Sequence, residues 1–252
     1  MGLLLSFIGL VAIAACAGGP AVMIPRQEPA ALPVLTGALG GNERIVATAQ
    51  IDVISSRGRF PIRAALILQK PSFIRLEMIP VIGTPDLFLV ATPSEMKIFI
   101  PSRGEFYLGK PTAANVSHFL PWDLEIIDMV QIFCGDYPLL TGEGVATDIH
   151  EEASFTRVSM TAASGESQIV WLTKEGRLLK WVRKGFDGKD LYRALYEEYG
   201  PGDRLARKIS FQTADERASV SIHYVDMKIE TAEDFKIFDL TPPAGSQVIA
   251  LD

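Results

Sequence analysis

The residues most able to do chemistry are few: three histidines, His118, His150 and His223, and two cysteines, Cys16 and Cys134. No two histidines stand four apart, the spacing that would set both on one face of a zinc-binding helix. Two cysteines so far apart offer neither a four-ligand zinc site nor a disulfide framework. Gly165-Glu166-Ser167 lacks the second glycine of a nucleophile elbow. Gly142-Glu143-Gly144 opens like a dinucleotide loop, yet it has no third glycine and no following helix, so it reads as a turn. Asp148, His150, Glu151 and Glu152 could gather a cation, against the plainer reading of a solvated loop. Arg57, Arg59 and Arg63 fit lipid phosphates and a charged strand rim equally well. Cys134 follows Val130, Ile132 and Phe133 with no histidine close by to activate it, so it reads as a small buried hydrophobe. The expectation is a protein that is not an enzyme and needs no metal or cofactor.

Composition narrows the alternatives. At 48% hydrophobic and 21% charged residues the chain has ordinary globular usage, which excludes disorder as its main state. A net charge of −6 with no basic block lacks the footprint that a nucleic acid backbone demands. The length of 252 residues allows one large β domain or two small ones. Neither an internal repeat nor a second domain is visible in it.

The elements that would position a site begin at the N-terminus. Residues 2–15 carry no charge, and Leu3, Leu4, Leu5, Phe7, Ile8, Leu10, Val11 and Ile13 form the apolar stretch of an export signal, short for a membrane span. The departure from that pattern is that no Lys or Arg precedes the stretch. Ile13-Ala14-Ala15-Cys16 resembles the lipobox of bacterial lipoproteins, an aliphatic residue and two small ones before the cysteine that takes the lipid. The resemblance implies cleavage before Cys16, lipid attachment to its thiol and, with Ala17 in place of Asp, sorting to the outer membrane. Two other readings compete: an N-myristoylation pattern at Gly2, which a polar tail should follow, and an uncleaved span running to Ile24, which Gly18, Gly19 and Pro20 interrupt. The expected organisation is a signal peptide over 1–15, a lipidated Pro/Gly/Ala tether over 16–41 and one folded domain over 42–252. Pro20, Pro25, Pro29 and Pro33 keep helix and ladder out of the tether.

From residue 42 onward short alternating runs are bounded by turn residues, the mark of strands. Residues 44–55, 60–69, 73–79, 86–92, 95–100 and 105–108 read as a meander of about six strands. Lys110-Pro111 then stops the period, and residues 112–119 and 124–133 read as two short helices. In the second, Leu124, Ile127, Val130 and Phe133 form an apolar stripe that packs on something greasy. Strands resume at 154–162 and make about five more, ending at 248–251. For residues 191–199, where Tyr192, Tyr196 and Tyr199 recur at helical spacing, helix and strand fit equally.

This order, with the lipobox, resembles the LolA/LolB superfamily, closest to LolB-like outer-membrane lipoproteins. Phe73-Ile74-Arg75-Leu76-Glu77-Met78-Ile79-Pro80-Val81-Ile82-Gly83 is similar to the family's third strand and its following loop. Residues 121–138, with Leu124, Phe133, Gly135 and Pro138, look like the lid; Phe133 stands near the place of the family's Trp, and the Gly and Pro spacing is imperfect. Arg207-Lys208-Ile209-Ser210-Phe211 and Phe238-Asp239-Leu240-Thr241-Pro242-Pro243-Ala244-Gly245 look like closing strands. The resemblance implies a β-rich α+β fold: a single curved antiparallel half-barrel of about eleven strands, with a short helical lid enclosing an apolar cavity. Periodicity alone does not separate such a cavity from a solid core. Both faces of Ala64-Ala65-Leu66-Ile67-Leu68 and Leu87-Phe88-Leu89-Val90 are apolar, as a sheet covered on both sides requires. Implied too is a lipid-anchored protein on the periplasmic face of the outer membrane, binding acyl chains of lipids or lipoproteins for their localisation or insertion. Leu124, Ile127, Val130 and Phe133 would line lid and cavity. Val81 and Ile82, before Gly83, would serve membrane delivery, unless they are tucked turn side chains. The alternative is an envelope assembly scaffold that uses the same fold to hold a protein partner.

Overall fold

The computed structural model describes residues 39–80, 83, 85–120, 125–142, 144–215 and 217–251. The expected signal peptide and nearly all of the tether lie outside them. Six strands come first: β1 (Glu43–Ser55), β2 (Gly58–Gln69), β3 (Phe73–Met78), β4 (Leu87–Ala91), β5 (Met96–Ile100) and β6 (Glu105–Gly109). Two helices follow, α1 (Ala113–Ser117) and α2 (Ile126–Phe133). The chain then returns as β7 (Ala146–Glu151), β8 (Phe155–Thr161), β9 (Ser167–Thr173), β10 (Leu178–Lys184), β11 (Asp190–Glu197), β12 (Lys208–Thr213), β13 (Ser219–Thr231) and β14 (Gln247–Ala250).

All fourteen strands belong to one sheet, in the order β14-β6-β5-β4-β3-β2-β1-β13-β12-β11-β10-β9-β8-β7. Its two halves meet where β1 pairs antiparallel with β13, and every pairing is antiparallel except β14 beside β6. The sheet is curved and open, with β14 and β7 as its edges. Among the causes of bending is a bulge at the centre: between Thr48 and Ala49 the register skips Val225 of β13, which is left exposed.

The expected count of about eleven strands was low. β7 is the strand that patterning missed, because as an edge it buries no side chain and so shows no apolar alternation. The group Asp148, His150 and Glu151 lies on this strand and not in a loop. Charged side chains there discourage pairing with a second sheet. Residues 190–197 are strand β11: Tyr192, Ala194 and Tyr196 alternate inward, and Glu198, at φ 60°, ends the run before Tyr199.

One face of the sheet carries the core. Ile45, Ala49, Ile51 and Val53 of β1, Ala64, Leu66 and Leu68 of β2, and Val220, Ile222 and Tyr224 of β13 are buried at alternate positions, with α1 and α2 packed on them. The opposite face is covered over β3 to β6 by residues 232–250 on their way to β14. Phe238 stacks on Phe73 at 5.3 Å, and Arg75 donates to the carbonyl of Ile237 at 3.1 Å. Lys97 pairs with Asp239 at 3.0 Å. Val90 and Phe106 are buried on this side, outside the inner cluster. The doubly apolar β4 therefore owes its second face to the C-terminal segment.

Candidate functional site

Helix α2 borders two clefts. Its sequence, Ile126-Ile-Asp-Met-Val-Gln-Ile-Phe133, buries Ile126, Met129, Val130, Ile132 and Phe133. At 3.6 residues per turn, Ile126, Met129, Val130 and Phe133 share one side. This corrects the stripe expected from the sequence. Three-residue spacing loses about 60° per step, so Leu124 and Phe133 would stand roughly half a turn apart. Ile127 accordingly is 39% exposed, while Val130 and Phe133 are buried in the core. Leu124 lies outside the described residues.

The two ends of α2 are held very differently. At the C-terminal end Tyr224 Oη donates to the Phe133 carbonyl at 2.8 Å, and Tyr196 Oη donates to the Asp136 carbonyl at 2.7 Å. Trp181 Nε1 donates to Tyr196 Oη at 3.2 Å, and Lys70 Nζ pairs with Asp136 Oδ2 at 2.9 Å. Burial pushes both tyrosine hydroxyls well above their ordinary value, so they stay protonated donors. Gly135, at φ 74°, turns the chain where a Cβ would come within 2.7 Å of Leu205. At the N-terminal end, by contrast, Glu125 makes no side-chain cap, so the first N–H groups are left without that partner.

Two clefts flank this end. The larger, about 550 Å³, lies between α2 and the turns β2–β3 and β4–β5, lined by Pro71, Pro93, Pro111, Glu125, Ile126 and Ile127 among others. The smaller, about 260 Å³, lies between α2 and β10 to β12, lined by Glu125, Asp128, Ile132, Trp181, Arg183 and Tyr192 with Pro138 and Phe211. Burial, then the neighbouring Glu125, raise the Asp128 carboxyl above its ordinary range, while Arg183 pulls it back. None of these polar residues drew notice in the sequence, because a lone Arg or Asp on a strand or helix has no local signature.

The other expected residues are placed as follows. Cys16, Val81 and Ile82 lie outside the described residues; Gly83, at φ 107°, has open space around it, and Ile79 before it is exposed. Arg57 donates to the carbonyls of Ser117 and Leu120 and so ties down α1, and Arg59 pairs with Asp52. Cys134 is free and fully buried, and burial pushes its thiol up. His118 follows α1, His150 sits on β7, and His223 faces Glu198 at 3.1 Å. Among the described residues no group of three or more His, Cys, Asp or Glu is placed to hold a metal ion, and no helix is long and apolar enough to cross a membrane.

No protein-family model and no curated protein matches this chain. Solved structures do. A domain described as an outer membrane lipoprotein-sorting protein from Vibrio parahaemolyticus is 15% identical, over 81% of this chain and 92% of its own, with a TM-score of 0.50. A LolA superfamily protein from Nitrosomonas europaea is 14% identical, over 82% and 96%, at 0.54. A DUF1329 family protein from Desulfovibrio piger is 10% identical, over 79% and 90%, at 0.54. At such identities the likeness is one of fold.

Proposed function

We propose that this chain, which has the LolA/LolB-like fold, binds acyl chains of lipids or lipoproteins beneath α2, for their localisation or insertion. The observation that carries the reading is the asymmetry of α2. Pinned by Tyr224, Tyr196 and Lys70 at one end and uncapped between two clefts at the other, it is built to pivot about Phe133–Asp136. Outward movement of its first turn would join the clefts over the apolar side chains of Ile126, Met129 and Val130 and create the cavity. A cleft of about 550 Å³ is already within the size range of ligand pockets, roughly 300–1,000 Å³. Energetics ask for such a movable cover. At about 0.8 kcal/mol per methylene, a long acyl chain gripped by a rigid cavity would be released too slowly for transfer.

In this reading residues 1–15 are a signal peptide, Cys16 carries the lipid, residues 16–41 are the tether, and the domain works on the periplasmic face of the outer membrane. Val81 and Ile82 would touch the membrane during delivery, a role that the exposed Ile79 and the open surroundings of Gly83 support. No step requires a covalent intermediate.

The test uses the full chain carrying Cys16→Ser, so that its own anchor cannot compete, and the fluorescent fatty acid 11-dansylaminoundecanoic acid. Wild-type residues at the cleft should bind the probe with a blue-shifted, enhanced emission. Ile127→Glu, at a position exposed enough to leave the fold intact, should weaken binding about tenfold or more with unchanged circular dichroism. A chain that leaves the probe's emission unchanged would remove the acyl-binding reading, and crosslinking would then test the scaffold alternative.

A further inference from the structure

The smaller cleft carries polar groups that an acyl chain does not explain. On the inner face, neighbouring strands align Met160, Gln168, Arg183 and Tyr192 in one cross-strand row. Gln168 is fully buried, and neither Oε1 nor Nε2 has a hydrogen-bond partner. Beside it the Nη1 of Arg183 is buried without a partner as well. Buried polar groups are nearly always satisfied, because an orphan forfeits its bonds to water and gains nothing. Gln69 Oε1 and Arg157 Nε are orphaned too, but Gln168 and Arg183 stand at paired positions of one row, and Arg183 lines the cleft.

The opposite wall is of the other charge. Glu125 and Asp128 of α2 line the same cleft as Arg183, and Asp128 and Arg183 face each other without closing to an ion pair. A simple anion would satisfy Arg183 but meet two carboxylates. A simple cation would suit the carboxylates and leave the buried donors orphaned. A ligand bearing both charges meets every group.

We propose that this cleft holds a zwitterionic group, its oxyanion against Arg183 and its ammonium against Glu125 and Asp128, with Gln168 beside Arg183 in the strand row. The proposal rests on the acyl-binding reading and deepens it: the chains would lie under α2, and the polar end would select the lipid. The same chemistry could come from a phosphoethanolamine lipid headgroup or from a free zwitterion.

Calorimetric titration of the Cys16→Ser chain separates these, with dihexanoyl phosphatidylethanolamine and dihexanoyl phosphatidylglycerol as monomeric probes and phosphoethanolamine as the chain-free one. Phosphatidylethanolamine should bind about tenfold more tightly than phosphatidylglycerol. Arg183→Met should weaken both lipids about tenfold, and Asp128→Asn should erase the preference while sparing phosphatidylglycerol. Phosphoethanolamine binding as tightly as its lipid would assign the site to a soluble zwitterion. Equal binding of the two lipids, indifferent to both substitutions, would overturn this site and leave acyl binding standing. Binding of none of the three probes would overturn both readings.

Discussion

Single side chains decide how firmly the domain's parts are joined. Glu43, at the start of β1, accepts from both Nη atoms of Arg204, at 2.8 and 2.9 Å. The bonds from Arg204, then that from the Gly40 N–H, hold its carboxyl down at about 2 instead of 4.5. A depressed carboxylate contributes stability that is complete above the unfolded value and lost as pH falls through the folded one. The stability difference between wild type and Glu43→Gln, read as urea midpoints, should therefore be constant above about pH 5 and shrink between there and about pH 2. At the other end of the scale of burial, Tyr196 both donates to Asp136 and accepts from Trp181. Tyr196→Phe strands the buried indole N–H and should cost about 1–3 kcal/mol in urea unfolding.

At the scale of elements, α2 is a helix of eight residues, too short to hold itself together without its packing. Among the described residues the side-chain hydrogen bonds that hold it are at its C-terminal end, so its stability should be graded along its length. Amide hydrogen exchange should show Asp128 and Met129 exchanging at least tenfold faster than Phe133 and Cys134. Uniform protection would mean that the helix opens only with the whole domain and would argue against a pivot. The same grading explains why the stripe was misread from sequence. Ile127 is as apolar as the residues that the helix buries, and only the exact helical phase tells it apart from them.

For the whole molecule, the C-terminal segment does the work that the sequence pattern left unassigned. By crossing β3 to β6 it covers Phe73, Val90 and Phe106 and reaches the far edge as β14, parallel to β6. This closure joins the last residues of the chain to its first half, across the sheet from their neighbour β13. Phe238→Ala should lower stability by about 3 kcal/mol, and its greater effect should be on the β3 to β6 half, seen as faster exchange of the Val90 and Phe106 amides than of Val170 and Leu172. Equal acceleration on both halves would show that the sheet melts as one unit.

The strand meander, the helical interruption after Lys110-Pro111 and the fold to which they add up are legible in the residues alone. Two-residue alternation and turn residues are local signals, and they survive wherever a strand has one buried face. Only packing reveals the rest: that an edge strand with no fully buried side chain exists at Ala146–Glu151, that α2 turns Ile126 and Met129 inward and Ile127 out, and that Asp128 and Arg183 line one cleft with Gln168 beside Arg183. Those three come from β9, β10 and α2, and their chemistry exists only because strand register and helix packing bring them together. A pairing made across the sheet leaves no period along the chain.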